Sequence, residues 1–135
     1  MSPARWLGGW AATAAAFGAL DALWLGVIMK EPNERMLGHL MADQINIPAA
    51  AAFYTIYTAG ITHFATAPGI ASRSVGRSAA QGAALGLVAY ATYDLTSKAV
   101  IKDFPGEMVL PDIAWGTFVT AAAAAVGAAV AGKRR

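Results

Sequence analysis

The chain has no cysteine, only two histidines, and charged side chains at just 13% of its 135 residues. Without cysteine there are no disulfides, thiolate metal centres or thiol chemistry. The shortage of charge excludes more. An ordinary soluble domain is about a quarter charged, whereas this chain is 57% hydrophobic with a mean hydropathy of +0.48. It has too few polar groups to cover a water-soluble fold, and a lipid bilayer is the solvent it suits. A net charge of +2, with no basic stripe interleaved with aromatics, excludes nucleic acid as a partner. No H-E-x-x-H, G-x-S-x-G or Walker pattern occurs, so neither a resident metal nor another cofactor is expected.

What is present is a set of apolar runs. Residues 6–29, 48–66, 78–97 and 110–131 are each long enough to span a bilayer, which takes roughly 20 helical residues. The expected fold is therefore an all-α, single-domain bundle of four transmembrane helices. The first run extends past the length of a signal-peptide core, which favours a span. Between the first two runs, residues 33–43 alternate Met36, Leu37, Leu40 and Met41 with polar residues at helical spacing, predicting a short amphipathic helix at the membrane surface. Pro68-Gly69 is expected to end the second span. Gly82 and Gly86 form a G-x-x-x-G spacing, and Gly18, Ala22 and Gly26 form a second small-residue stripe. Both read as close-packing surfaces for another helix, in this chain or in a second copy of it.

Four spans put both termini on one side. Six basic residues (Arg5, Arg73, Arg77, Lys133, Arg134, Arg135) lie at the termini and the middle loop, against four (Lys30, Arg35, Lys98, Lys102) in the other two connections. The positive-inside rule places the termini in the cytoplasm, although a bias this small leaves inverted or dual topology open.

With that topology, Asp21, Asp94 and Asp112 all fall in the outer half of the bundle. An ionised side chain in hydrocarbon costs about 2.5–3.5 kcal/mol on the lenient scale, so such residues face the interior, find partners and mark function. Asp21 has no local basic partner. Tyr90, Asp94 and Lys98 recur every four residues on one face, which makes Asp94 and Lys98 a candidate ion pair. Asp112 sits in a helix's first turn, where the macrodipole favours an acid. Trp24 and Trp115 each follow an aspartate by three residues and either form aromatic walls or belong to the interfacial belt. Tyr90 and Tyr93 are candidate hydrogen-bond donors to the site. His39 belongs either to the same layer or to the headgroups. His63, in the opposite half, is expected to be a hydrogen-bonded core residue. Acids brought close together share a proton, which suits proton-coupled chemistry or cation binding.

The blocks Asp21-Ala22-Leu23-Trp24-Leu25-Gly26, Leu37-Gly38-His39-Leu40-Met41, Tyr90-Ala91-Thr92-Tyr93-Asp94-Leu95-Thr96 and Asp112-Ile113-Ala114-Trp115-Gly116-Thr117 resemble the signature blocks of the bacterial domain of unknown function 2177 family. The resemblance covers nearly the whole chain and implies a four-helix protein of the bacterial cytoplasmic membrane. The chain departs from the pattern at Ser97, where asparagine is expected, and at Phe104-Pro105, where Trp-Pro is common. The family carries no established activity. Its members are often encoded beside lipid-modifying enzymes, which implies at most a link to membrane-lipid metabolism.

Three functions follow as expectations. The first is binding or transport of a small ligand, proton or cation through the carboxylate cluster. The second is a membrane enzyme, or an accessory to lipid modification, using the acids as general acid and base. The third is a structural subunit or assembly factor. Expected partners are the bilayer, a small-molecule or lipid ligand, and a second copy of the chain.

Overall fold

The computed structural model describes residues 1–132; Lys133, Arg134 and Arg135, three of the six basic residues expected on the cytoplasmic side, lie outside the described residues. The described residues are helical almost throughout and contain no strand. Helix α1 (Pro3–Leu23) runs on through a π-helical turn, Trp24–Ile28. The short α2 (Lys30–Leu37) ends in a 3-10 turn, Gly38–Leu40. Helix α3 (Ile47–Ile61) continues through a second π turn, Thr62–Thr66, into α4 (Ala67–Ala71). Helix α5 is Val75–Val100, and a 3-10 turn at Gly106–Met108 leads into α6 (Val109–Gly132).

Each start has a local cause. Ser2, Asn46 and Ser74 are N-caps whose side-chain oxygens accept from the amides of Arg5, Ala49 and Arg77 at 3.0–3.1 Å. Pro3 and Pro48 occupy first-turn positions, where a missing N–H goes unnoticed. The same tolerance explains why α2 begins three residues before the expected 33: Pro32 lies in its first turn, inside the helix. Beyond Leu40 the chain leaves the helix, so the amphipathic segment spans 30–40, short of the predicted residue 43.

Pro68-Gly69 does not end the second long helix. A proline at 68 removes one backbone hydrogen bond and crowds the carbonyl four residues back, Phe64. The widened π turn around Phe64 absorbs that mismatch, and the helix carries on to Ala71. Ser78 of α5 donates its hydroxyl to two of the turn's carbonyls, Ala65 (2.7 Å) and Thr66 (3.1 Å). Glycine at 69 is what allows that approach, since a Cβ there would lie 1.8 Å from the Ser78 hydroxyl.

Helix α6 is the centre, packed against α5 on one side and α1 on the other. Its buried face is small: Gly116, Val119, Thr120, Ala123, Ala124, Gly127, Ala128 and Ala131. The G-x-x-x-G pair of α5 lies against it. A Cβ on Gly82 would come within 2.8 Å of the Thr120 carbonyl, and one on Gly86 within 2.3 Å of the Gly116 carbonyl. The other expected stripe is different. Nothing lies within 4 Å of the Cβ positions of Gly18 or Gly26, and Ala22 is exposed, so among the described residues no helix packs closely on that face.

Two helical stretches, Pro3–Ile28 and Gly106–Gly132, are long and apolar enough to cross a membrane. The other two long stretches carry more threonine, tyrosine and serine and fall below that apolar content. Several of these polar residues turn inward: Thr58, Thr62, Thr66 and Ser78 are buried, as are Thr13 of α1 and Thr120 of α6, while Ile56, Phe64, Val88, Leu95 and Val100 are exposed.

Candidate functional site

The interior is polar enough to require a hydrogen-bond partner for nearly every group. Tyr54, Thr58, Thr62 and Thr66 recur every four residues along one face from α3 into the π turn. Thr66 pairs with Thr13 at 2.9 Å, and Thr58 accepts from the Trp10 indole at 2.9 Å. Tyr57 pairs with Thr120 at 2.8 Å. Tyr54 reaches furthest towards the α2 end and donates to Asp21 Oδ2 at 2.6 Å. Asp21 is 6% exposed, and its other oxygen accepts a long 3.4 Å contact from the Trp115 indole.

Above this layer opens a cavity of about 600 Å³ bordered by the first π turn, α2, α3, α5 and α6. Asp21, Asp94 and Asp112 all line it, as do Trp24, Tyr90, Tyr93 and Trp115. Trp24 and Trp115 do not form separate walls. Their rings stack on each other, centroids 4.5 Å apart and 4° from parallel, closing one side as a double layer. Tyr90 lies against α6, held close because position 116 has no side chain: a Cβ there would meet its ring at 2.0 Å. Its ring edge also faces Tyr57 at 6.2 Å. Tyr93 is more than half exposed and packs edge-on to Phe104 at 6.1 Å.

The carboxyl groups of Asp94 and Asp112 lie within hydrogen-bonding reach of each other, one from the C-terminal part of α5 and one from the first turn of α6. Asp94 is 1% exposed, and its Oδ2 receives no hydrogen bond from the protein. Asp21 borders the same space but is not the third member of a tight cluster: among the described residues no three His, Cys, Asp or Glu side chains converge as they would around a metal ion.

Several expected roles are placed differently. Lys98 makes no ion pair with Asp94, because its ammonium donates to the Phe104 carbonyl at 3.0 Å across the turn that follows α5. The i, i+4 spacing allows the pair, but Asp94 faces the interior while Lys98 is exposed at the helix end. Among the described residues the one ion pair is Arg35–Glu31, 3.4 Å, on the exposed side of α2. His39 is exposed on the 3-10 turn after α2 and does not line the cavity. His63 is no core residue: it is exposed on the second π turn, its ring edge-on to Phe64 at 4.9 Å. Neither Tyr90 nor Tyr93 donates to an aspartate; Tyr54 does, and the four-residue polar stripe was the sign of it.

One cavity residue carried no signal in the sequence. Asn33, on α2, borders the cavity, and its Oδ1 is buried without a hydrogen-bond partner. The cavity thus offers two unsatisfied acceptors and three carboxyl groups on largely apolar and aromatic walls, and among the described residues no lysine or arginine lines it. No curated protein and no solved structure matches the chain. Residues 6–129 match the model of a family described as a predicted membrane protein, domain of unknown function 2177, and the chain belongs to that family.

Proposed function

We propose that this is a four-span protein of the bacterial cytoplasmic membrane, both termini inside, that binds and carries a small ligand, proton or cation through the cavity beside α2. Four spans are supported by the distribution of side chains. All four long helical stretches expose large apolar residues, among them Leu7, Ile56, Val88 and Val130, while threonines, serines, Asp21 and Asp94 are buried alongside the apolar core of Phe17, Ile61 and Val119. That arrangement suits lipid outside and a polar path inside. Helix α2, polar on one face, then lies at the outer surface over the cavity mouth.

A single observation carries the ligand reading. Asp94 is buried beside Asp112, and its Oδ2 receives no hydrogen bond from any other described residue. Two carboxyl groups in contact need a proton or a cation between them. A purely structural site would supply one from the chain, and Lys98 is close enough in sequence to have done so, but it bonds the Phe104 carbonyl. Asp94 and Asp112 are the exchangeable site in this reading, Asp21 is its fixed neighbour held by Tyr54, and the stacked indoles seal one wall.

The test is chemical modification in native membranes. A hydrophobic carbodiimide reacts with carboxyl groups that hold a proton away from bulk water. Modification at Asp94 or Asp112, located by peptide mass spectrometry and lost in Asp94→Asn, is the expected result. Labelling confined to the surface acids Glu31, Glu34, Asp43, Asp103 and Glu107 would overturn the reading.

A further inference from the structure

The chemistry of the cavity narrows its occupant, and the narrowing rests on the ligand-binding reading above. We propose that the site takes a protonated amine with an apolar body, its N–H groups satisfying Asp94 and Asn33 and its carbon skeleton lying along the aromatic walls. The two buried polar atoms without partners among the described residues, Asp94 Oδ2 and Asn33 Oδ1, are both acceptors. Both residues border the same space, one from α5 and one from α2. What satisfies them has to donate. A primary ammonium group brings three N–H donors together with the positive charge that a carboxyl pair lacks.

Other ligand classes fit less well. Anions meet three carboxyl groups and no cationic side chain. A bare metal ion needs several converging oxygen or nitrogen ligands, and no such group forms among the described residues. A neutral acyl chain would suit the walls but leave both acceptors unpaired, which is the costly outcome in a desolvated site. A quaternary ammonium ion has the charge without an N–H and leaves them unpaired too. The apolar body is called for by the rest of the lining: Phe53, Tyr57, Tyr90, Met108 and the Trp24–Trp115 stack. A volume of about 600 Å³ lies within the range of small-molecule sites, about 300–1,000 Å³.

The wild-type chain in phosphatidylcholine nanodiscs, titrated calorimetrically against empty discs, decides the matter. The probes are phenethylamine, its N,N,N-trimethyl analogue, phenethyl alcohol and sodium chloride. The expected result is binding of the amine at least about tenfold tighter than any of the others. Replacing Asn33 by Leu should weaken it about tenfold, and Asp94→Asn should abolish most of it. Equal or tighter binding of the trimethyl compound, the alcohol or sodium would overturn the amine assignment while leaving a ligand site in place. So would an absence of amine binding in membranes where carbodiimide still modifies Asp94. If that modification is absent as well, both the amine and the ligand reading fall.

Discussion

Tyr54 and Asp21 show what a single side chain contributes to the cavity. The phenol holds one carboxyl oxygen of Asp21 at 2.6 Å, and the other hydrogen bond to that group among the described residues is the 3.4 Å indole of Trp115. Removing one partner of a buried hydrogen bond costs about 1–3 kcal/mol, because the group left behind stays desolvated. Tyr54→Phe is therefore expected to lower the unfolding free energy by about that amount, measured by denaturant titration in detergent. Thr55→Val, on the exposed side of the same turn, should change it little. The aspartates were legible because a charge inside an apolar run has few innocent explanations. Tyr54 was harder to see, because tyrosine is at home near any membrane interface and only its spacing with Thr58, Thr62 and Thr66 set it apart. Asn33 was hidden, since an asparagine in a polar connection signals nothing until the fold tucks its side chain inward. The Asp94–Lys98 spacing misled for a related reason: adjacency along a helix says which groups can meet, and a nearby carbonyl outcompeted the carboxyl for the ammonium.

Among elements, glycines decide which helices come close. Gly86 and Gly116 sit where α5 meets α6, with no room for a methyl group: 2.3 Å to a carbonyl in one case, 2.0 Å to the Tyr90 ring in the other. Gly86→Ala and Gly116→Ala are expected to destabilise the chain by about 1–3 kcal/mol or more, since a packed backbone cannot move aside locally. Gly116→Ala should also displace Tyr90 from the cavity wall. Gly18→Ala faces open space and should instead stabilise α1 by about 0.5–1 kcal/mol. The same unfolding titration reads all three, and similar effects at positions 18 and 86 would contradict the packing described. A G-x-x-x-G spacing and the stripe at 18, 22 and 26 look alike in a sequence. Which one meets a neighbour depends on how the helices are rotated, a property of the whole assembly. Pro68 carries the same lesson. Locally it reads as a helix stop, yet the π turn before it and Gly69 after it let α3 and α4 run on as one rod.

For the whole molecule, the question is where the bilayer lies. The absence of cysteine makes each introduced one the only thiol in the chain, so accessibility maps topology without background. Cysteines at Ala42 and Lys102 are expected to react with an impermeant maleimide added to intact cells, while those at Ser2 and Ser72 react only after the membrane is opened. Equal labelling of all four from outside would contradict a single four-span orientation, and mixed labelling would indicate dual topology. Composition and run length made the helical, membrane-suited character legible at once. The stretches of α3 and α5 are less apolar, in part because they carry Thr58, Thr62, Thr66 and Ser78, which the fold buries.

The central claim is that this bundle keeps two acidic groups together at a cost to its own stability, for the sake of what they bind. That cost is measurable as a double-mutant cycle on Asp94→Asn and Asp112→Asn, read by unfolding titration of the unliganded protein. Asp94→Asn gives the pair a permanent N–H donor and removes one ionisable group from it, so it is expected to raise stability by about 1–3 kcal/mol. The two substitutions together should gain clearly less than their sum, as residues in contact do. Loss of stability in Asp94→Asn, or effects that add to within about 0.5 kcal/mol, would mean that the two carboxyl groups neither meet nor stand uncompensated in the folded chain.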